Sequence, residues 1–270
     1  MNESAKVVSD PAQRDVALCR SLLYQALSLG FLPPTEQTCD RLGRKSSTAA
    51  LAEAALVLDD QAGTCLAVKT RALSAPKDAT DADALVLSYR ILFGHTAQGP
   101  VPPYETEYGE DEIFQKPQEM SDIAGFMSAF GLKLDPGARE RFDHIACELE
   151  FAAFLARKEA HAVETGDEAM LGETRKAMRL FLKDHLGRFV PSFADRMRRE
   201  VPLGFYGALA DLCQALVESD CRRYKAPLGP AALRLKLPIE DNAPMACGSA
   251  QGCPGACDPE ELAVEEEPQG

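Results

Sequence analysis

Apolar residues recur every three or four positions along most of the chain, and breakers divide that pattern into segments. From Pro11 to Gly30, Val16, Leu18, Cys19, Leu22, Leu23, Ala26 and Leu27 follow a proline at a helix-start position, and Gly30, Pro33 and Pro34 close the run. Less regular helical stretches cover Thr48 to Ala75, broken at Pro76, and Asp81 to Phe93, ended by Gly94. Between Gly94 and Lys116, Gly99, Pro100, Pro102, Pro103 and Gly109 exclude a helix, so this stretch is expected as a long ordered loop or a linker. Helical pattern resumes at Gln118 to Phe130, closed by Gly131.

The clearest element runs from Ala138 to Val163. Phe142, Ile145, Ala146, Leu149, Ala152, Ala153, Ala156 and Ala160 form a stripe that Phe151, Phe154 and Leu155 widen. As one helix it would be about 39 Å long, buried on more than one side, at the centre of a bundle. Further helices are predicted at Asp167 to Leu186, Val190 to Glu200 and Phe205 to Tyr224. The pattern therefore predicts an all-α fold, a single helical bundle over residues 1–226. A Pro/Gly-rich acidic tail, expected to be disordered, occupies 227–270.

Composition agrees with the pattern: 46% of residues are hydrophobic, enough for a sizeable core, and Trp is absent. No export signal or membrane span is read in the sequence, which implies a cytoplasmic protein. The net charge of −13 excludes a nucleic-acid binder, since phosphate contacts need a basic face. Eight acidic residues and no basic one come after Lys236, so the body carries about −5. In a reducing compartment the nine cysteines are expected as thiols or metal ligands; Cys19, Cys39, Cys65, Cys147, Cys213 and Cys221 fall within helical patterns as small packing residues.

Motifs for chemistry are mostly missing. None of His95, His144, His161 and His185 has the spacing of a di-iron or H-E-x-x-H site, and neither a phosphate-binding glycine loop nor a G-x-S-x-G elbow occurs. His144 and Glu148 are one helical turn apart, which suits an acid–base pair or, more commonly, a plain ion pair. Two clusters remain. Residues 102–112 place Glu105, Glu107, Glu110, Asp111 and Glu112 beside Tyr104 and Tyr108; this is either a solvated acidic loop or a surface for a basic peptide, with carboxylates for arginine and tyrosines for rigid contact. Asp143 and His144 interrupt the apolar stripe near the start of the central helix, as helix-end electrostatics or as part of a site. In the tail, Cys247, Cys253 and Cys257 sit among glycines; thiolates suit iron–sulfur or zinc, but a fourth ligand and any C-x-x-C spacing are missing.

Together these residues resemble the TorD/DmsD/NarJ family of redox-enzyme maturation chaperones. Tyr89-Arg90-Ile91-Leu92-Phe93 looks like its Y-x-x-L-F element, Pro103-Tyr104-Glu105-Thr106 like its P-Y-E-[ST] loop, and Glu140 with Asp143-His144 like its E-x-x-D-H motif. The runs Asp122 to Phe126 and Glu148 to Phe151 are similar to the TorD-like branch, and the resemblance extends from Val16 to Tyr224. It implies an all-α protein without enzymatic activity that binds the catalytic subunit of a molybdenum oxidoreductase and its twin-arginine leader until the cofactor is inserted, before export. No resident cofactor is expected, only transient contact with the client's molybdenum cofactor. By resemblance the P-Y-E-T loop and the Asp-His pair contribute to the client-binding region; since a leader offers guanidinium groups followed by an apolar segment, the candidate site is Phe93, Pro103, Tyr104, Glu105, Glu107, Asp143 and His144, with Glu105, Glu107 and Asp143 as carboxylates for the leader arginines and Tyr104 and Phe93 as groove walls. Where the family has a proline near Asp-His, this chain has Arg141-Phe142, so the helix is expected to start slightly earlier. A redox or metal-transfer protein acting through the tail cysteines is the rival reading, and an inert scaffold would show no selectivity for leaders.

Overall fold

A computed structural model of the protein describes residues 10–62, 64–94, 99–109, 115–134 and 140–236. These residues form nine helices: α1 (Pro11–Phe31), α2 (Lys45–Ala62), α3 (Leu66–Ala72), α4 (Ala82–Phe93), α5 (Gln115–Ala129), α6 (Ile145–Thr165), α7 (Glu168–Phe181), α8 (Gly187–Glu200) and α9 (Phe205–Tyr224). Apart from two isolated bridges, Tyr104 with His144 and Tyr108 with Leu235, the described residues contain no β-structure. They belong to one compact unit that ends at Lys236.

The expected central helix is α6. It packs along α1 in the most extensive helix pair of the bundle and also against α7, while α9 lies against α8, α1, α3 and α7. Its buried positions include Ile145, Leu149, Phe151, Ala152, Leu155 and Ala156, a face wide enough to be covered from several sides. One correction concerns its start. The helix begins at Ile145, later than the expected Ala138, because His144 is extended (φ −71°, ψ 133°) and its Nδ1 caps the Ala146 N–H at 3.1 Å. Phe142 and Asp143 form a turn ahead of the helix. There Asp143 O accepts from Glu105 N–H and Pro103 O accepts from Ile145 N–H, both at 2.8 Å, so the chain is committed to pairing with the 99–109 loop.

The segments expected at Asp167 to Leu186 and Val190 to Glu200 are joined by a π-type turn, Leu182–Leu186, without an intervening loop. Pro191 lies inside α8 and has no N–H to give the carbonyl of Gly187 four residues earlier. Gly229 N–H takes that carbonyl at 2.8 Å. A side chain at Gly229 would place its Cβ 2.1 Å from Arg188 O, so only glycine permits the approach. Ser192 extends the seam by donating to Pro230 O and accepting from Leu233 N–H. The stretch 227–236, assigned to the tail from its composition, is therefore laid along α8. Cys247, Cys253 and Cys257 and the rest of the predicted tail lie outside the described residues, as does His95.

Away from the motif residues, one buried ionic cluster ties four helices. Arg20 on α1 is 1% exposed and makes a bidentate pair with Asp220 of α9 (2.8 and 2.7 Å) and a third bond to Glu159 of α6 (2.7 Å). Tyr24 donates to Asp220, Tyr224 donates to Glu159, and Arg175 of α7 takes the other Glu159 oxygen at 2.7 Å. Every carboxylate oxygen in this cluster is matched, which is what offsets the cost of taking the charges out of water. Arg20→Met replaces the guanidinium by a shorter, uncharged chain and leaves Asp220 without its cation. Urea denaturation should show a loss of about 3–5 kcal/mol, and a loss under ~1 kcal/mol would mean that the cluster contributes little.

Candidate functional site

Residues 99–109 are a strap buried against the bundle. Val101 N–H bonds to Leu92 O at the end of α4, Gly109 N–H to Arg234 O, and Lys236 N–H to Glu107 O. Tyr108, fully buried, donates to Pro102 O across the strap's own turn at 2.9 Å. The strap thus sits between the start of α6 and the 227–236 stretch, and two carboxylates fix it from beneath.

Glu105 is 1% exposed. Its Oε1 accepts from Arg188 Nε at 3.0 Å and from Arg188 Nη2 at 2.6 Å, and its Oε2 lies 3.1 Å from His185 Nδ1. Asp143 is completely buried and takes Arg141 in bidentate fashion (2.9 and 2.5 Å), while Thr106 donates to it at 2.7 Å and accepts from Arg141 at 2.8 Å. The Arg141 guanidinium lies over the Tyr104 ring, 4.4 Å from its centre, and the Tyr104 hydroxyl donates to Glu140 at 3.1 Å. His144 packs edge-on to Tyr104 with its Nε2 3.7 Å from Glu140, beyond hydrogen-bonding distance. Behind this layer Glu148 is fully buried beside the Glu105 carboxylate. Burial, then the negative charges of Glu105 and Asp143, raises its pKa well above the usual carboxylate range.

The residues expected to bind a client are thus brought together, but most face inward. Phe93 is in the core, in ring contact with Tyr89, Phe193 and Tyr206. Pro103, Glu105, Asp143 and His144 are buried as well. Tyr104 and Glu107 are half-buried, Glu107 being 14% exposed and pairing with Lys116 at 2.9 Å. The expectation that Glu105 and Asp143 stand ready for incoming arginines needs correcting: Arg188 and Arg141 of the same chain already hold them. Glu110, Asp111 and Glu112 lie outside the described residues.

Residues 45–195 match the family described as nitrate reductase delta subunit. The chain belongs to that family. The match runs from α2 into α8 and so includes the strap, the start of α6 and the 182–188 segment. Among curated proteins the chain is similar to the chaperone protein TorD of Vibrio cholerae serotype O1 (strain M66-2), 31% identical over 152 residues covering 55% of this chain and 66% of that protein. It is also similar to the perchlorate reductase assembly chaperone protein of Dechloromonas aromatica, 31% over 104 residues (38% and 46%). With the selenate reductase assembly chaperone protein of Thauera selenatis it shares 33% over 129 residues (48% and 60%). In each case the chain spans less than two thirds of the relative's length. The TorD-like resemblance read from the motifs is borne out.

Arg141, His185 and Arg188 are the members of this site that sequence reading missed. Arg141 carried a signal, being two residues from Asp143 with only Phe142 between. His185 and Arg188 lie 80 or more positions from Glu105 and belong to no motif. Among the described residues no group of three or more metal-ligating side chains could hold a metal, and Cys19, Cys39, Cys65, Cys147, Cys213 and Cys221 are free thiols. No helix of the described residues is long and apolar enough to cross a membrane.

His144 offers a test by pH. Burial lowers its pKa from 6.5 to about 4, against the opposing pull of Glu140 and Asp143. The unfolded chain therefore binds the extra proton first, so this contribution to stability is complete above pH 6.5 and is lost as the pH falls towards 4, reaching about 3 kcal/mol there. His144→Asn keeps a capping acceptor and removes the proton site. Urea titrations across this window should show a shallower loss of stability with acid in the variant than in the parent, and parallel curves would refute the assignment.

Proposed function

We propose that this protein is a cytoplasmic assembly chaperone without catalytic activity, which binds the catalytic subunit of a molybdenum-containing oxidoreductase and holds it until the cofactor is in place. The observation that carries this reading is the family match itself: it covers the strap and the start of α6, and the similar curated proteins are named chaperones or reductase assembly chaperones. Recognition would include the client's twin-arginine leader. Buried Phe93, Pro103, Glu105, Asp143 and His144 then serve as positioning residues. Contact with the client falls to the partly accessible Tyr104, Glu107 and Glu140 at the rim. Tyr104, clamped between Arg141 and Glu140, supplies rigid contact area at little entropic cost.

The test is direct. A synthetic leader peptide with adjacent arginines, titrated into the full chain by calorimetry at low salt, is expected to bind, and to bind about tenfold more weakly when both arginines are glutamine. Capture from native cells should recover a molybdenum oxidoreductase subunit. Failure of the leader to bind, with a captured partner of another kind, would overturn the proposal.

A further inference from the structure

Beside the strap, α5 and the 182–188 segment enclose a cleft of about 660 Å³ with Glu105 and His185 at its inner end and Asp122 and Asp184 among its walls. The geometry points to this cleft as the seat for a cationic side chain of the client, a guanidinium above all. The assignment rests on the client-binding reading above and adds to it the place where the client's positive charge is received.

The first argument is the histidine. Glu105 already accepts two N–H groups from Arg188, and as an acceptor-only carboxylate it also takes the Nδ1–H of His185. That bond places the ring hydrogen on Nδ1, which leaves the lone pair of an uncharged ring on Nε2. His185 is 5% exposed, lines the cleft, and its Nε2 has no hydrogen-bond partner. A buried acceptor left unmet calls for a donor, and the complementary group is an N–H donor and not an anion.

Charge gives the same answer. Arg188, the cation lining the cleft, is spent on Glu105 and lies 3.6 Å from Glu119, whose other oxygen meets Lys236 at 3.0 Å. Asp122 is exposed, and Asp184, 42% exposed, is held by Lys183 at 2.9 Å in a solvent-exposed ion pair that an incoming cation can exchange. Their carboxylates give the mouth of the cleft a negative field. Because Arg188 and Arg141 saturate Glu105 and Asp143, an incoming cation finds its carboxylates here instead.

Shape adds the third argument. Phe126, half-buried, stands edge-on to His185 at 5.3 Å and supplies an aromatic wall. Nothing comes within 4 Å of where a Cβ on the neighbouring Gly125 would sit, so the α5 side is open. A planar cation can lie against an aromatic face, donate to a histidine nitrogen and reach a carboxylate at once, which a guanidinium does better than an ammonium.

The experiment uses the full chain and a probe simpler than a leader: N-acetyl-arginine methylamide, with the neutral citrulline analogue as control, followed by NMR on the His185 ring nitrogens and the Gly125 amide. The arginine probe should shift both in a saturable way and the citrulline probe should not. Asp122→Asn with Asp184→Asn, both at solvent-accessible positions, should weaken the probe and the leader peptide by about five- to tenfold. Glu173→Gln, which removes an exposed carboxylate on α7, should change neither. If the leader binds the parent but the double variant binds it equally well and the probe leaves His185 unmoved, the cleft assignment is wrong while the chaperone reading stands. If the probe seats in the cleft and no leader binds, the cleft assignment holds and the reading of the client as a twin-arginine protein fails.

Discussion

The carboxylate of Glu105, held under the 99–109 strap by Arg188 on one oxygen and His185 on the other, is the interaction on which the rest of this structure turns. The strap has too many prolines and glycines to be a helix and no neighbouring strands to join, so its backbone must be satisfied by whatever lies beneath it. Glu105 fixes it to the 182–188 segment. Asp143, through Thr106 and Arg141, fixes it to the start of α6. A buried ion pair is weak support for stability as such, but matched donors on every oxygen admit few alternative arrangements, and here that directionality sets where a proline-rich chain lies.

Pinned in this way, the motif has an inside and an outside. The inside is a layer of polar groups in which burial works against charge, raising the pKa of Glu148 and lowering that of His144. The outside is narrow: Tyr104, Glu107 and Glu140 at the rim, and the cleft that opens towards α5. Residues that identify the family are in the main those that build the platform. Those that would touch a client lie next to them and carry less recognisable spacing.

Helix placement was legible from periodicity because local spacing decides it. Phe205 to Tyr224 was read with the bounds that α9 has, and the stretch read as Asp81 to Phe93 is α4 with its capping residue Asp81. What was not legible depends on partners distant in sequence. The stripe from Phe142 onward reads as one helix, yet the 103–105 backbone takes the hydrogen bonds that would have extended α6 backwards. Residues 227–236 have the composition of a tail, but the carbonyl that Pro191 cannot use gives Gly229 a place to bind. Asp143 and Glu105 looked like surface carboxylates because their arginines come from a neighbouring turn and from another element 83 positions away. No local pattern announces Arg20 either, whose partner Asp220 is 200 residues on.

The claim that the strap is an integral, clasped part of the bundle is tested most directly by native-state amide hydrogen exchange. The amides of Glu105, Gly109, Ile145 and Lys236 all donate across the strap's seams. If the clasp holds as described, they should exchange only through global unfolding, with protection equal to that of Leu149 and Ala152 in the middle of α6. Strap amides that exchange orders of magnitude faster than α6 would show the strap opening on its own, and would contradict the account.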